Sequence, residues 1–343
     1  MTPPTVAPCG TWTSPISAER LAAGAKPLAE PRLDGSDIVW LEGRAAEGGR
    51  VVVCRRAADG STRTLTPAPF NVRTRVHEYG GGAMLAVGGE LFFSNFADNL
   101  VYRQLGAAAP VALTQDSRLR HADFELDAAR RRLIAVCEDH RDASREAANT
   151  LATIALDGGA VAAPLASGFD FYASPRLSPD GRELAWLCWN HPQMPWNGCE
   201  LWRAEVAADG TLQGVHRVAG GPAESMCQPQ WSPEGRLFVV SDRSGWWNLV
   251  RVDGEALQVV CPMAAEFGQP AWVFGQSMFG FEDERTVIAA CIENGVGRLL
   301  RIDLASGRAQ TIPTPFTSLE GLRVGPGFAL AVAGAVKSLL RGG

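Results

Sequence analysis

The stretch VHEYGGGAML, residues 76–85, places a histidine, a glutamate and a tyrosine directly before three glycines. His77 and Glu78 are types that move protons, and a glycine run can cradle a phosphate when a helix follows it. No helix signal follows here, because the chain turns apolar at AMLAV. The glycines therefore read as the entry to a strand in a crowded place. For His77 and Glu78 two readings stay open: a hydrogen-bonded pair that fixes a connection, or, with Tyr79, a role at a channel mouth or an interface. His191 and Trp196 stand in a long proline-rich loop, WNHPQMPWNGCE, which is costly to order without a contact. Trp246 and Trp247 are adjacent in DRSGWWN, so in extended chain they point opposite ways, one to packing and one to a partner. His121 with Asp123, and His140 with Asp139 and Asp142, lack a third aligned ligand and read as surface charge. Neither a metal nor a cofactor is expected.

The elements that must position these residues repeat. Short apolar runs, among them LFFSNF at 91, LIAVCE at 133, LAWLCW at 184, LFVVSD at 237 and VIAACI at 287, recur every 41 to 53 residues. That period belongs to a propeller or a solenoid, and the runs are too short and too glycine-bounded for helix pairs. Most are followed by a second strand-like piece such as ELWRAEV or NLVRVD, and often by a third. With the strand before each turn this predicts an all-β fold, a seven-bladed β-propeller of four-stranded antiparallel blades over residues 31–343, the seventh incomplete. Residues 1–30 form an N-terminal segment in which SAERLAAG reads as a short helix, Ser17 capping it and Gly24 ending it. In LSPDGRELAWL and WSPEGRLFVV the proline, acid and glycine explain themselves as hairpin turns.

Composition narrows the partners. The formal charge is −5 and only two of the 32 basic residues are lysines, so there is no basic stripe for nucleic acid. Eight cysteines without a C-x-x-C pair read as buried free thiols of a reducing compartment. The start lacks a leader pattern and no apolar run approaches the roughly 20 residues of a membrane span. The expectation is a soluble, cytoplasmic protein with no membrane partner.

A four-stranded meander also sorts the loops. If the first strand of each unit starts on one face, the second-to-third loops and the crossovers between units share that face, while the tight turns take the other. The first face then collects His77, Glu78, His191, Trp196, Trp246 and Trp247, which suggests one working face.

Several segments carry a family resemblance: TWTSPISAERLAAG, VHEYGGGAML, LSPDGRELAWLCWNHPQMPWNGCELW, QPQWSPEGRLFVVSDRSGWWNLVRVD and PAWVFGQSMFGF. They resemble the propeller of bacterial members of the prolyl oligopeptidase family of serine peptidases, nearest to the dipeptidyl- and acylaminoacyl-peptidase-like branch. The resemblance runs from about residue 10 to the end. It implies an α/β-hydrolase domain, normally in the same chain, whose Ser-Asp-His triad the propeller screens from all but suitable peptide substrates. No G-x-S-x-G elbow occurs here. GQSMFG comes nearest, and SLLRGG follows what read as only two strands of the seventh unit, as in a truncated chain. No catalytic residue carries over, and no activity is expected of this chain alone. The function read from the sequence is a gating, substrate-selecting propeller; the alternative is a free-standing interaction propeller. A propeller enzyme with a site in its channel would want acids and histidines on the innermost strands, which QPQWS, SPRLS and GLRVG do not supply.

Overall fold

The computed structural model describes residues 6–12, 14, 16–18, 26–158, 163–254 and 256–335. The helix expected over 17–24 lies outside them apart from Ser17 and Ala18. Six four-stranded antiparallel sheets and one two-stranded sheet follow one another along the chain. Blade 1 is β1 (Leu28–Asp34), β2 (Asp37–Arg44), β3 (Arg50–Arg56) and β4 (Thr62–Thr64), with one 3-10 turn at Ala45–Glu47. Blade 2 is β5 (Met84–Val87), β6 (Glu90–Ser94), β7 (Val101–Leu105) and β8 (Val111–Ala112). Blade 3 comprises β9 (Leu119–Asp127), β10 (Arg132–Asp139), β11 (Ala148–Ala155) and β12 (Ala163–Ala166). In blade 4 come β13 (Phe171–Leu177), β14 (Glu183–Trp189), β15 (Glu200–Val206) and β16 (Leu212–Gly220). Blade 5 holds β17 (Met226–Trp231), β18 (Leu237–Ser241), β19 (Asn248–Asp253) and β20 (Ala256–Val259). Blade 6 holds β21 (Phe279–Phe281), β22 (Thr286–Glu293), β23 (Val296–Asp303) and β24 (Ala309–Ile312). The last sheet is β25 (Ser318–Gly325) with β26 (Phe328–Gly334).

The second strand of each blade explains the apolar runs. LIAVCE on β10 and LAWLCW on β14 are buried at every position, because each is covered on both faces by a neighbouring blade. Cores accordingly form between blades: Phe238, Val240 and Leu249 of blade 5 pack on Phe279, Val287 and Ala289 of blade 6, and Val136 and Leu151 of blade 3 pack on Trp186 and Cys188 of blade 4. Seven cysteines are buried or half-buried thiols, whereas Cys9 is exposed, contrary to the expectation for it.

A bulge recurs at one level of the innermost strands. The register of β1, β9, β13, β17 and β25 each shifts once, and the bulged residue takes positive φ: Glu30 (48°), Asp123 (55°), Ser174 (52°), Gln228 (50°) and Gly321 (63°). The bulges turn polar groups toward the next blade. Glu30 Oε1 accepts the Ala83 N–H at 3.3 Å, Asp123 Oδ2 the Ser174 N–H at 2.8 Å, and Gln228 Oε1 the Met278 N–H at 2.6 Å. Ser277 Oγ donates to Leu322 O at 2.7 Å. β25 lies against both β21 and β1, so the inner strands close the ring although, among the described residues, the last sheet has two strands.

Candidate functional site at the channel mouth

The loops gather as the meander requires. Tyr79 stands edge-on to Trp272 with centroids 5.4 Å apart, and Trp196 lies 4.3 Å from Trp272, so the crossover into blade 2, the β14–β15 loop and the crossover out of blade 5 share one face. His77 sits in an aromatic box with Phe171, Trp189 and Phe274 at 5.0, 5.7 and 4.9 Å, and His191 packs on Phe171 at 5.0 Å. Trp246 is 43 % exposed. Trp247 turns inward against the core between blades 5 and 6. The Asp180 turn is elsewhere and behaves as a turn: Asp180 Oδ1 accepts the Arg182 N–H, and Gly181 has φ 68°.

His77 and Glu78 do not bond to each other. The His77 backbone N–H donates to Glu138 Oε1 at 3.1 Å, and Glu78 pairs with Arg120 at 3.1 Å, so both tie the crossover to blade 3. Each has positive φ, 53° and 63°. Burial lowers the His77 imidazole to about 4, the Glu138 charge offsetting only part of this. Its Nε2 is buried without a hydrogen-bond partner. Among the described residues no group of three or more His, Cys, Asp or Glu could hold a metal. His121 is fully buried and Asp123 pairs with Arg176 at 2.9 Å, so the reading of these two as surface charge is corrected.

What the sequence reading missed is a strap. The 19 residues between β20 and β21 do not cross directly to blade 6. They reach blade 2, where Phe274 forms a parallel bridge with Gly81 and its N–H donates to Gly80 O at 3.0 Å. On the way back Gly275 O accepts from Arg323 at 2.9 Å and Ser277 O accepts the Leu322 N–H at 2.9 Å. The strap thus lies across the channel mouth. It also explains the triple glycine: a Cβ on Gly81 would meet Phe274 O at 2.5 Å, and one on Gly82 would meet the Asp123 N and Phe274 Cβ at 2.9 Å.

Beneath the strap the innermost strands are charged. Glu30, Arg32, Asp123, Glu125, Arg176 and Arg323 converge there, supplied by LAEPR and HADFE as well as SPRLS and GLRVG. Burial pushes the Glu30 and Glu125 carboxyls up. It lowers Arg323 well below its ordinary value, and the like charges of Arg32 and Arg176 add to the effect. An apolar cavity of about 340 Å³ lies alongside the strap, walled by Trp189, Met226, Trp272 and Phe274, with Glu30 and His77 among its polar residues. A second groove of about 540 Å³ between blades 1 and 2 shares Ala29, Glu30 and Gly81 with it. Such a site can bind apolar and charged groups side by side. It contains no nucleophile paired to a base among the residues described here.

The fold and this mouth define a β-propeller like the N-terminal propeller region of puromycin hydrolases and prolyl oligopeptidases, as the sequence motifs implied. The chain is 35 % identical to a puromycin hydrolase, covering 96 % of this chain and 53 % of that one, with a TM-score of 0.89. It is 33 % identical to a puromycin-hydrolyzing peptidase of Mycobacterium tuberculosis, over 95 % of this chain and 52 % of that one, with a TM-score of 0.87. Prolyl oligopeptidase B from Galerina marginata, solved with a 35mer hydrolysis and macrocyclization substrate, shares the fold at 12 % identity and a TM-score of 0.59, over 85 % of this chain and 44 % of that one. The chain spans about half the length of the two hydrolases it matches at a third identity. No protein-family model matches it, and no curated protein does. Among the described residues no helix is long and apolar enough to cross a membrane.

Proposed function

We infer that this chain is the substrate-screening propeller of a serine-peptidase-like hydrolase, with an α/β-hydrolase domain seated over the strapped face. The observation that carries the reading is the 35 % identity to a puromycin hydrolase over nearly the whole of this chain but only half of that one. The face supports it: exposed Tyr79, Met194, Trp246, Trp272 and Val273 are large apolar groups of the kind that interface cores use. Ala29 at the start of β1 and Gly334 at the end of β26, paired beside the start of β25, put both ends of the propeller on that side. A domain joined at either end therefore reaches this face without crossing a blade. The bulk of the propeller keeps large substrates away from such a domain, and small peptides and aminoacyl amides are the substrate class.

The experiment is a chimera in which this chain replaces the propeller of the 35 %-identical puromycin hydrolase. It should cleave a tripeptide at least about tenfold faster than a 30-residue peptide. Trp196→Ala and Trp272→Ala should change that ratio, whereas Asp180→Ala and Glu234→Ala in the opposite turns should change only stability. A chimera that cleaves both peptides alike, or whose ratio moves with the turn variants alone, defeats the reading.

A further inference from the structure

The groove between blades 1 and 2 holds arginines that the fold leaves without counter-charges. Arg73 and Arg75, on the crossover before His77, both pack on the Phe96 ring, their guanidinium carbons 4.4 and 4.5 Å from its centroid. The two cations are thus at most about 9 Å apart, about one screening length at physiological salt, where like charges still repel. Both side chains are exposed, and neither meets a carboxylate among the described residues. This contrasts with Arg50, Arg55, Arg103, Arg120, Arg130 and Arg132, each of which has an acidic partner. Arg44 lines the same groove: its terminal nitrogens reach Glu42 at 3.2 Å and Thr64 at 3.0 Å, but its buried Nε donates to nothing.

We propose that this groove is a carboxylate-binding subsite, in which Arg73 and Arg75 receive the carboxylate of a peptide whose body lies in the apolar cavity beside the strap. The aromatic ring holds the two guanidiniums in place, so little side-chain freedom is lost when an oxyanion binds. Planar donors suit a two-oxygen acceptor. Because the groove and the cavity share Ala29, Glu30 and Gly81, one short ligand can occupy both. Of the other acids on the groove, Glu78 pairs with Arg120, and Glu30 accepts from Ala83 through Oε1 while its Oε2 lies 3.9 Å from Arg32 and has no hydrogen-bond partner. The peptide ligand rests on the screening role proposed above, but the site is a property of this chain and is tested on it alone.

The test is equilibrium binding of Phe-Gly-Gly and of its C-terminal amide to the purified 343-residue chain, followed by tryptophan fluorescence and calorimetry, with inorganic phosphate as a second probe. The acid should bind about tenfold more tightly than the amide, and the difference should shrink as salt rises. The double variant Arg73→Gln/Arg75→Gln should bind acid and amide alike, whereas Arg63→Gln, an exposed arginine on the outer strand β4, should keep the preference. Circular dichroism of each variant separates a lost site from a lost fold. Equal binding of acid and amide by the unaltered chain overturns the proposal. So does phosphate binding that the double variant abolishes while the peptides show no preference, which would make this a site for free phosphate. Neither result touches the chimera's size ratio, so the two readings fail separately.

Discussion

Gly81 is held at φ 84° with Phe274 O and N within 2.7 Å of where a Cβ would stand, and both atoms belong to backbone that is itself bonded to blade 2. Gly181, in the opposite turn, has φ 68° but open space around it. Alanine should therefore cost only about 1 kcal/mol at Gly181, from the left-handed backbone alone, and about 3 kcal/mol or more at Gly81, where the strap must lift as well. Denaturant unfolding of the two variants checks this; equal losses would mean that the strap is not packed on the glycines. The buried histidines make a second claim. Burial lowers His121 to about 4, neither of its nitrogens has a partner, and it stands opposite Cys137 in the ladder of β9 and β10. A folded value below the unfolded one means that the unfolded chain binds the proton first, so stability present above about 6.5 is lost as pH falls toward about 4. His77 acts in the same sense, while Glu30 and Glu125, raised by burial, act in the opposite one. His121→Gln should therefore flatten the slope of unfolding free energy between pH 7 and pH 5 by about 2 kcal/mol; an unchanged slope would show that His121 protonates in place. The sequence made His77 and the glycines conspicuous, but it could not show that their crowding comes from residues nearly 200 positions away.

At the scale of elements, strands were legible and a connection was not. LIAVCE and LAWLCW are apolar at every position because blades cover them on both sides, and that requirement is written locally. The SPDG and SPEG turns are written just as locally. The strap is different: PAWVFGQSM has the composition of an ordinary crossover, and its path across the channel follows from a bridge to Gly81 that no neighbouring residue specifies. The charged floor was hidden for a related reason, since the bulges shift the side-chain alternation that a strict period of two would assign. Those bulges carry the belt that joins the blades. Gln228 is its densest node: Oε1 accepts from Met278 at 2.6 Å, and Nε2 donates to Phe279 O at 2.7 Å and to Ser277 Oγ at 3.0 Å. Gln228→Ala would leave the Met278 N–H without its acceptor between blades 5 and 6, and should cost about 2–3 kcal/mol. Gln258→Ala on the outer strand β20, an exposed side chain whose Oε1 accepts from half-buried Arg251, should cost less than about 0.5 kcal/mol. Thermal unfolding of the pair reads the difference, and similar losses would remove the belt as what holds these blades together.

For the whole molecule, the two-stranded sheet matters most. The inner strands close the ring, because β25 touches β1 as well as β21, so the channel is enclosed by inner strands alone. What the sheet lacks is cover: among the described residues no strand pairs with the outer side of β26, and none of its seven residues is fully buried. Phe328, Ala329 and Ala333 are exposed along it. A strand edge with unpaired backbone groups and apolar side chains is a template for another strand. The purified chain should therefore be folded but should self-associate as its concentration rises, through β26 and not through unfolding. Sedimentation velocity from about 5 to about 200 μM follows this, in the range where weakly associating edges become populated. Ala329→Lys with Ala333→Lys places charges on exposed positions of that edge without entering the core, and should shift the distribution to monomer at an unchanged melting temperature. If the chain is monomeric throughout, or if the lysines leave the assembly intact while Trp246→Ser and Trp272→Ser disperse it, then the contact is made by the aromatic face and the edge of β26 is already protected.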